Sequence, residues 1–184
     1  MCLDALKHLA GIVSAITRGG EIVVFGSSSL LGTYPAADSE HEWIHRSDDA
    51  DFILDPFDEI VGRIAHDAVG RDSELESAKG YHADIIRPIA CENFPPGWRE
   101  RLVPLDGCPG VMCLEPHDMA VAKLFAGRPK DIGLLADLIR AGRLDPAEVE
   151  RRLISMEMTE AFIVRTHARL KESAVAGGKP LPRR

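Results

Sequence analysis

Every stretch of this chain that reads as a β-strand lies before residue 115. Residues 21–25 (EIVVF), 49–54 (DADFIL) and 81–87 (YHADIIR) are rich in β-branched and other apolar residues, and 102–105 and 111–114 are shorter runs of the same kind. From Glu115 onward the texture becomes helical. Pro116 opens a helix through Ala126, and Pro129-Lys130-Asp131 opens another to Ala141, closed by Gly142. Asp145-Pro146-Ala147-Glu148 has the capping-box form and opens a third, and Thr159-Glu160 opens a last one to about Lys171. So divided, the chain reads as an α/β front followed by an all-helical back.

The front has helices of its own. Leu3, Leu6, Leu9, Ala10, Val13 and Ile16 share one helical face over residues 3–17, and Arg18-Gly19-Gly20 ends that helix. Asp55-Pro56-Phe57-Asp58 predicts another helix, with Asp55 as the cap and Pro56 at the first position, running to about Val69. Residues 70–80 are polar and ambiguous. Residues 28–48 are the least regular part of the front, although 28–31 could begin a helix.

Composition narrows the class. At 45% apolar residues, the 184-residue chain can build a core and is no disordered polymer. No apolar run approaches the ~18 residues that span a bilayer, and the start resembles no signal peptide. The expectation is a cytoplasmic protein with no membrane attachment. Its net charge of −7 does not favour nonspecific duplex binding, which needs Lys and Arg against phosphates, although a local basic cleft stays open. The basic cluster at 179–184 reads as a frayed end. Cys2, Cys91, Cys108 and Cys113 form no C-x-x-C pair and read as free thiols.

Four features carry chemistry. Phe25-Gly26-Ser27 follows a strand, where glycine permits a tight turn close to a phosphate and serine adds a hydroxyl. Asp49 and Asp51 flank Ala50 on a strand, so their side chains project from one face. Two carboxylates so close repel unless a proton or cation relieves them, and hard oxygen ligands suit Mg²⁺ or Mn²⁺. A solvated acidic strand end is the plainer account of that pair taken alone. Asp84, inside the run 82–86, is costly if buried unpaired and comfortable beside a metal or a lysine. Lys123 sits in an apolar helix, where it must reach outward or meet an anion, and Arg128, Lys130 and Asp131 cluster at the next helix start. His117-Asp118 reads as a first-turn polar pair, and Trp98, after Pro-Pro-Gly, as a loop plug.

In this order, Gly26-Ser27, Asp49/Asp51, Asp84 and then Lys123 resemble the nucleotidyltransferase superfamily with the DNA polymerase β-like fold. The phrases PGWRERLV (96–103), LEPHDMAVAKL (114–124) and AGRPKD (126–131) resemble an uncharacterised bacterial nucleotidyltransferase-like family. That family is similar to the abortive-infection nucleotidyltransferase toxins of toxin–antitoxin systems. The likeness covers most of residues 20–155 and implies an α+β fold: a small mixed β-sheet core flanked by helices, with a C-terminal helical lobe. The expected division is a core at 1–114, a lobe at 115–172 and a flexible basic tail at 173–184.

The resemblance also implies roles. Gly26 and Ser27 would hold nucleotide phosphates, and Asp49, Asp51 and Asp84 would be the metal ligands, with Asp84 alternatively the base. Lys123, Arg128, Lys130 and Asp131 would be nucleotide-binding, Lys123 against triphosphate and also counted with the three acids as catalytic. The implied reaction moves a nucleoside monophosphate from a nucleoside triphosphate to a hydroxyl on tRNA, a protein or a small molecule, with Mg²⁺ or Mn²⁺. A cognate antitoxin is the implied partner. Two departures stand out: 21 residues separate Ser27 from Asp49, and Asp51 stands where the toxins often carry lysine. The long insertion leaves a second account, a catalytically inactive binding or regulatory module on the same fold. In that insertion His41, Trp43 and His45 are candidates for base or acceptor contact.

Overall fold

The computed structural model describes residues 1–35 and 48–182. His41, Trp43 and His45 of the insertion, and Arg183 and Arg184 of the tail, lie outside the described residues. The chain runs α1 (Leu3–Thr17), β1 (Glu21–Phe25), a 3-10 turn (Ser27–Ser29), α2 (Leu30–Thr33), β2 (Asp49–Asp55), α3 (Glu59–Val69), α4 (Glu74–Lys79) and β3 (His82–Ile86). β4 (Val103–Pro104) and β5 (Val111–Cys113) follow, then α5 (Pro116–Ala126), α6 (Pro129–Arg140), α7 (Pro146–Ile154) and α8 (Glu160–Ala176). The fold is α+β, with a mixed five-stranded sheet in the order β3-β2-β1-β5-β4. β1 pairs antiparallel with β2 and parallel with β5; β2 pairs parallel with β3, and β4 antiparallel with β5.

The described residues form two compact units. One holds residues 1–35, 48–91 and 101–115, the other residues 92–100 and 116–182. In the first, the strands place Ile22, Val24, Phe52, Leu54, Ala83 and Cys113 on one face, all fully or almost fully buried. α1 packs on β1 and on α3, and α3 packs on β3, so amphipathic helices cover that apolar face. Each large side chain buried there contributes roughly 1.5–3 kcal/mol. In the helical unit, α5 packs on α6 and α7, and α8 on α5, α6 and α7. The segment 92–100 closes on itself there: Phe94 and Trp98 meet edge to face with ring centres 5.2 Å apart, and Arg99 lies over the Trp98 ring.

Several boundaries differ from the sequence expectation for physical reasons. β2 extends through Asp55, so the cap of α3 falls to Asp58, whose Oδ1 accepts from the amides of Ile60 and Val61 at 2.8 and 2.9 Å. The ambiguous stretch 70–80 contains α4, capped by the Ser73 hydroxyl and closed by Gly80 in the left-handed region. α8 continues beyond Lys171 to Ala176, where Leu170 and Ala174 are buried.

Candidate metal centre

Strand alternation and register decide which acids meet. Asp49 and Asp51 lie on the face of β2 opposite the apolar one, as do Ile53 and Asp55. In the parallel β2–β3 pair Asp49 stands opposite His82 and Asp51 opposite Asp84. All four therefore project from the same face of the sheet. Phe25, the last residue of β1, pairs with Asp51 from the other side and delivers the Gly26-Ser27 turn to that carboxylate.

Gly26 has φ +68°, and a Cβ there would collide with the Asp51 carboxylate. Glycine is required here twice over, by backbone conformation and by close approach. Ser28 and Ser29 turn their hydroxyls back onto the carbonyls of Phe25 and Gly26 at 3.3 and 2.8 Å, which holds the turn. Ser27 makes no such bond among the described residues.

Ligand atoms of Asp49, His82 and Asp84 all lie within 4.8 Å of one another. A divalent ion about 2.1 Å from each ligand needs those atoms on the order of 3.0–3.4 Å apart, so small side-chain movements suffice. Carboxylate oxygen and imidazole nitrogen are both ligands such ions accept, and the residues fit one. Asp51 shares the face but is not one of these three; it sits against Gly26. His82 is the member that sequence reasoning missed. The signal was present, because His82 and Asp84 are two apart on one strand, as Asp49 and Asp51 are.

The cations expected for nucleotide binding lie in the helical unit. Lys123 meets its anion there: Nζ is 3.3 Å from Oδ1 of Asp131, whose side chain is almost wholly buried. Arg128 Nε donates to the other oxygen of Asp131 at 2.7 Å, while its own guanidinium stays largely in solvent. Burial alone would raise the Asp131 carboxyl, but the Arg128 hydrogen bond and the charges of Lys123 and Arg128 hold it below the usual carboxylate range. Lys130 is exposed. Asp118 is fully buried and accepts from Arg152 Nη1 at 2.7 Å, while His117 Nε2 receives the Asp145 amide, so the two neighbours point to different partners.

Residues 3–172 match the model of a family described as nucleotidyltransferase of unknown function (DUF6036). The chain belongs to this family. No curated protein and no solved structure matches it. In this family member three acids and a buried histidine project from one sheet face beside a glycine-serine turn. Among the described residues no helix is long and apolar enough to cross a membrane.

Proposed function

We propose that this chain transfers a nucleoside monophosphate from a nucleoside triphosphate to a hydroxyl acceptor, using a divalent cation held on the β2–β3 face. The observation that carries the proposal is the convergence of Asp49 and Asp84 from separate strands, beside Asp51 and the Gly26-Ser27 turn. The hydroxyl oxygen attacks the α-phosphorus in line, the bond to the bridging oxygen breaks, pyrophosphate departs, and the hydroxyl proton is released. Asp49, Asp51 and Asp84 would hold the Mg²⁺ or Mn²⁺, which would supply charge stabilisation to the phosphate oxygens. Gly26 lets the backbone approach the triphosphate, and the Ser27 hydroxyl donates to it. Lys123, Arg128 and Lys130 are proposed to offset triphosphate charge, with Asp131 orienting Lys123 and Arg128. The acceptor class is a tRNA 3′ end, a protein hydroxyl or a small molecule, and the resemblance to abortive-infection toxins extends the proposal to a toxin with a cognate antitoxin.

The test is incubation with each α-labelled triphosphate, bulk tRNA or cell extract, and Mg²⁺ or Mn²⁺. The expected result is cation-dependent label transfer that falls roughly a thousandfold in Asp49→Ala, since several kcal/mol of charge stabilisation is lost at tenfold per ~1.4 kcal/mol. Absence of transfer to every acceptor, or equal transfer by Asp49→Ala, would overturn it.

A further inference from the structure

We infer that His82 is itself a metal ligand, and that the centre it forms with Asp49 and Asp84 takes Mn²⁺ in preference to Mg²⁺. The inference rests on the metal centre of the proposed function, but not on nucleotidyl transfer.

The His82 side chain is only 5% exposed, and neither ring nitrogen has a hydrogen bond among the described residues. A buried imidazole whose nitrogens make no hydrogen bond costs free energy. Its two nitrogens face different groups. Nδ1 lies 2.8 Å from Oε1 of Glu76, in ion-pair range although off the hydrogen-bond direction. Nε2 faces Oδ1 of Asp84 at 3.8 Å, too far for a hydrogen bond and close to the spacing of two ligands on one ion.

Glu76 is held in place for this task. Its Oε2 accepts from the Asp72 amide at 2.6 Å, and its own amide donates to Ser73 Oγ at 3.1 Å, at the start of α4. A carboxylate beside Nδ1, with Nε2 on the side of Asp84 and Asp49 in the same cluster, is the arrangement of a metal-binding histidine. With the small side-chain movement that would align it, the outer carboxylate would hold the proton on Nδ1 and leave the Nε2 lone pair for the ion. An all-oxygen set suits Mg²⁺, whereas one imidazole nitrogen moves preference toward transition cations.

The experiment uses the full chain, wild type, His82→Gln, Glu76→Gln and Asp49→Ala, with calorimetric titration of Mn²⁺ and Mg²⁺ and pulsed electron paramagnetic resonance of bound Mn²⁺. Wild type is expected to bind Mn²⁺ at least about tenfold more tightly than Mg²⁺ and to show a ¹⁴N coupling on the manganese. His82→Gln should abolish that coupling and weaken Mn²⁺ by at least about tenfold while changing Mg²⁺ little, and Glu76→Gln should weaken Mn²⁺ about ten- to a hundredfold with the coupling retained. Absence of ¹⁴N coupling in wild type overturns the inference without any variant having to fold, as does unchanged Mn²⁺ binding by His82→Gln. If Asp49→Ala abolishes binding while His82→Gln does not, the centre of the proposed function stands and this inference falls. If wild type binds neither cation, both fall.

Discussion

The two units treat their acids differently. In the helical unit each buried acid meets a basic side chain of the same unit. Asp131 is shared by Lys123 and Arg128, Asp118 takes Arg152, and Glu150 meets His167. On the sheet, Asp84 has no ion-pair partner among the described residues but the His82 imidazole at 3.8 Å, and that imidazole is gathered with a second carboxylate, Asp49. A burial cost settled inside the chain marks the acids of the helical unit, whereas Asp84 and Asp49 are partly exposed and gathered around a histidine.

Truncation should separate the two classes most sharply. Asp131→Ala leaves Lys123 buried and uncompensated, and is expected to cost about 3–5 kcal/mol in chemical denaturation. Asp84→Ala relieves a like charge beside Asp49 and should leave stability within about 1 kcal/mol of wild type, or above it. Equal losses in the two variants would erase the distinction.

Acid titration sharpens it by a smaller amount. The Asp131 carboxyl is depressed in the folded state, so its stabilisation is complete above its ordinary value of about 3.9 and is lost as pH falls through the lower folded value. Asp131→Asn should therefore flatten the decline of stability below about pH 4, read from denaturation midpoints at successive pH values. An unchanged slope would mean that the ion pair does not contribute.

The smallest expected effect concerns thiols. Burial pushes the Cys113 thiol up to about 12; a backbone hydrogen bond with Gly32 opposes the rise, and Cys108 adds slightly to it. No disulfide joins the four cysteines. At pH 8 a thiol-specific chromogenic reagent should leave Cys113 unreacted until the sheet unit unfolds, while Cys2, Cys91 and Cys108, each half-buried, react sooner. Four equal rates would place Cys113 outside the core.

Much of the architecture was legible because its signals are local. The apolar spacing of residues 3–17 and the EIVVF run delimit α1 and β1, and Pro116 and Pro129 mark the starts of α5 and α6. The fold class followed from where strands stop and from the resemblance. Other features depend on distant pairing. That Asp49 meets His82 rests on the β2–β3 register, which no local pattern states, and so the histidine went unnoticed although the same alternation argument had singled out Asp49 and Asp51. Asp55 before Pro56 reads as the cap, and only the length of the β1–β2 ladder, which reaches Glu21 opposite Asp55, hands the cap to Asp58.

The path of the chain through its two units has a practical consequence. Residues 92–100 belong with the helices, yet residues 101–115 return to the sheet and contribute β4 and β5. A gene cut at the last strand would leave the helical product without its Phe94–Trp98 loop, and the sheet product carrying that loop without the helices of its own unit. Separating the two units for split reporters or segmental isotope labelling would take three cuts and four pieces rather than one cut and two halves.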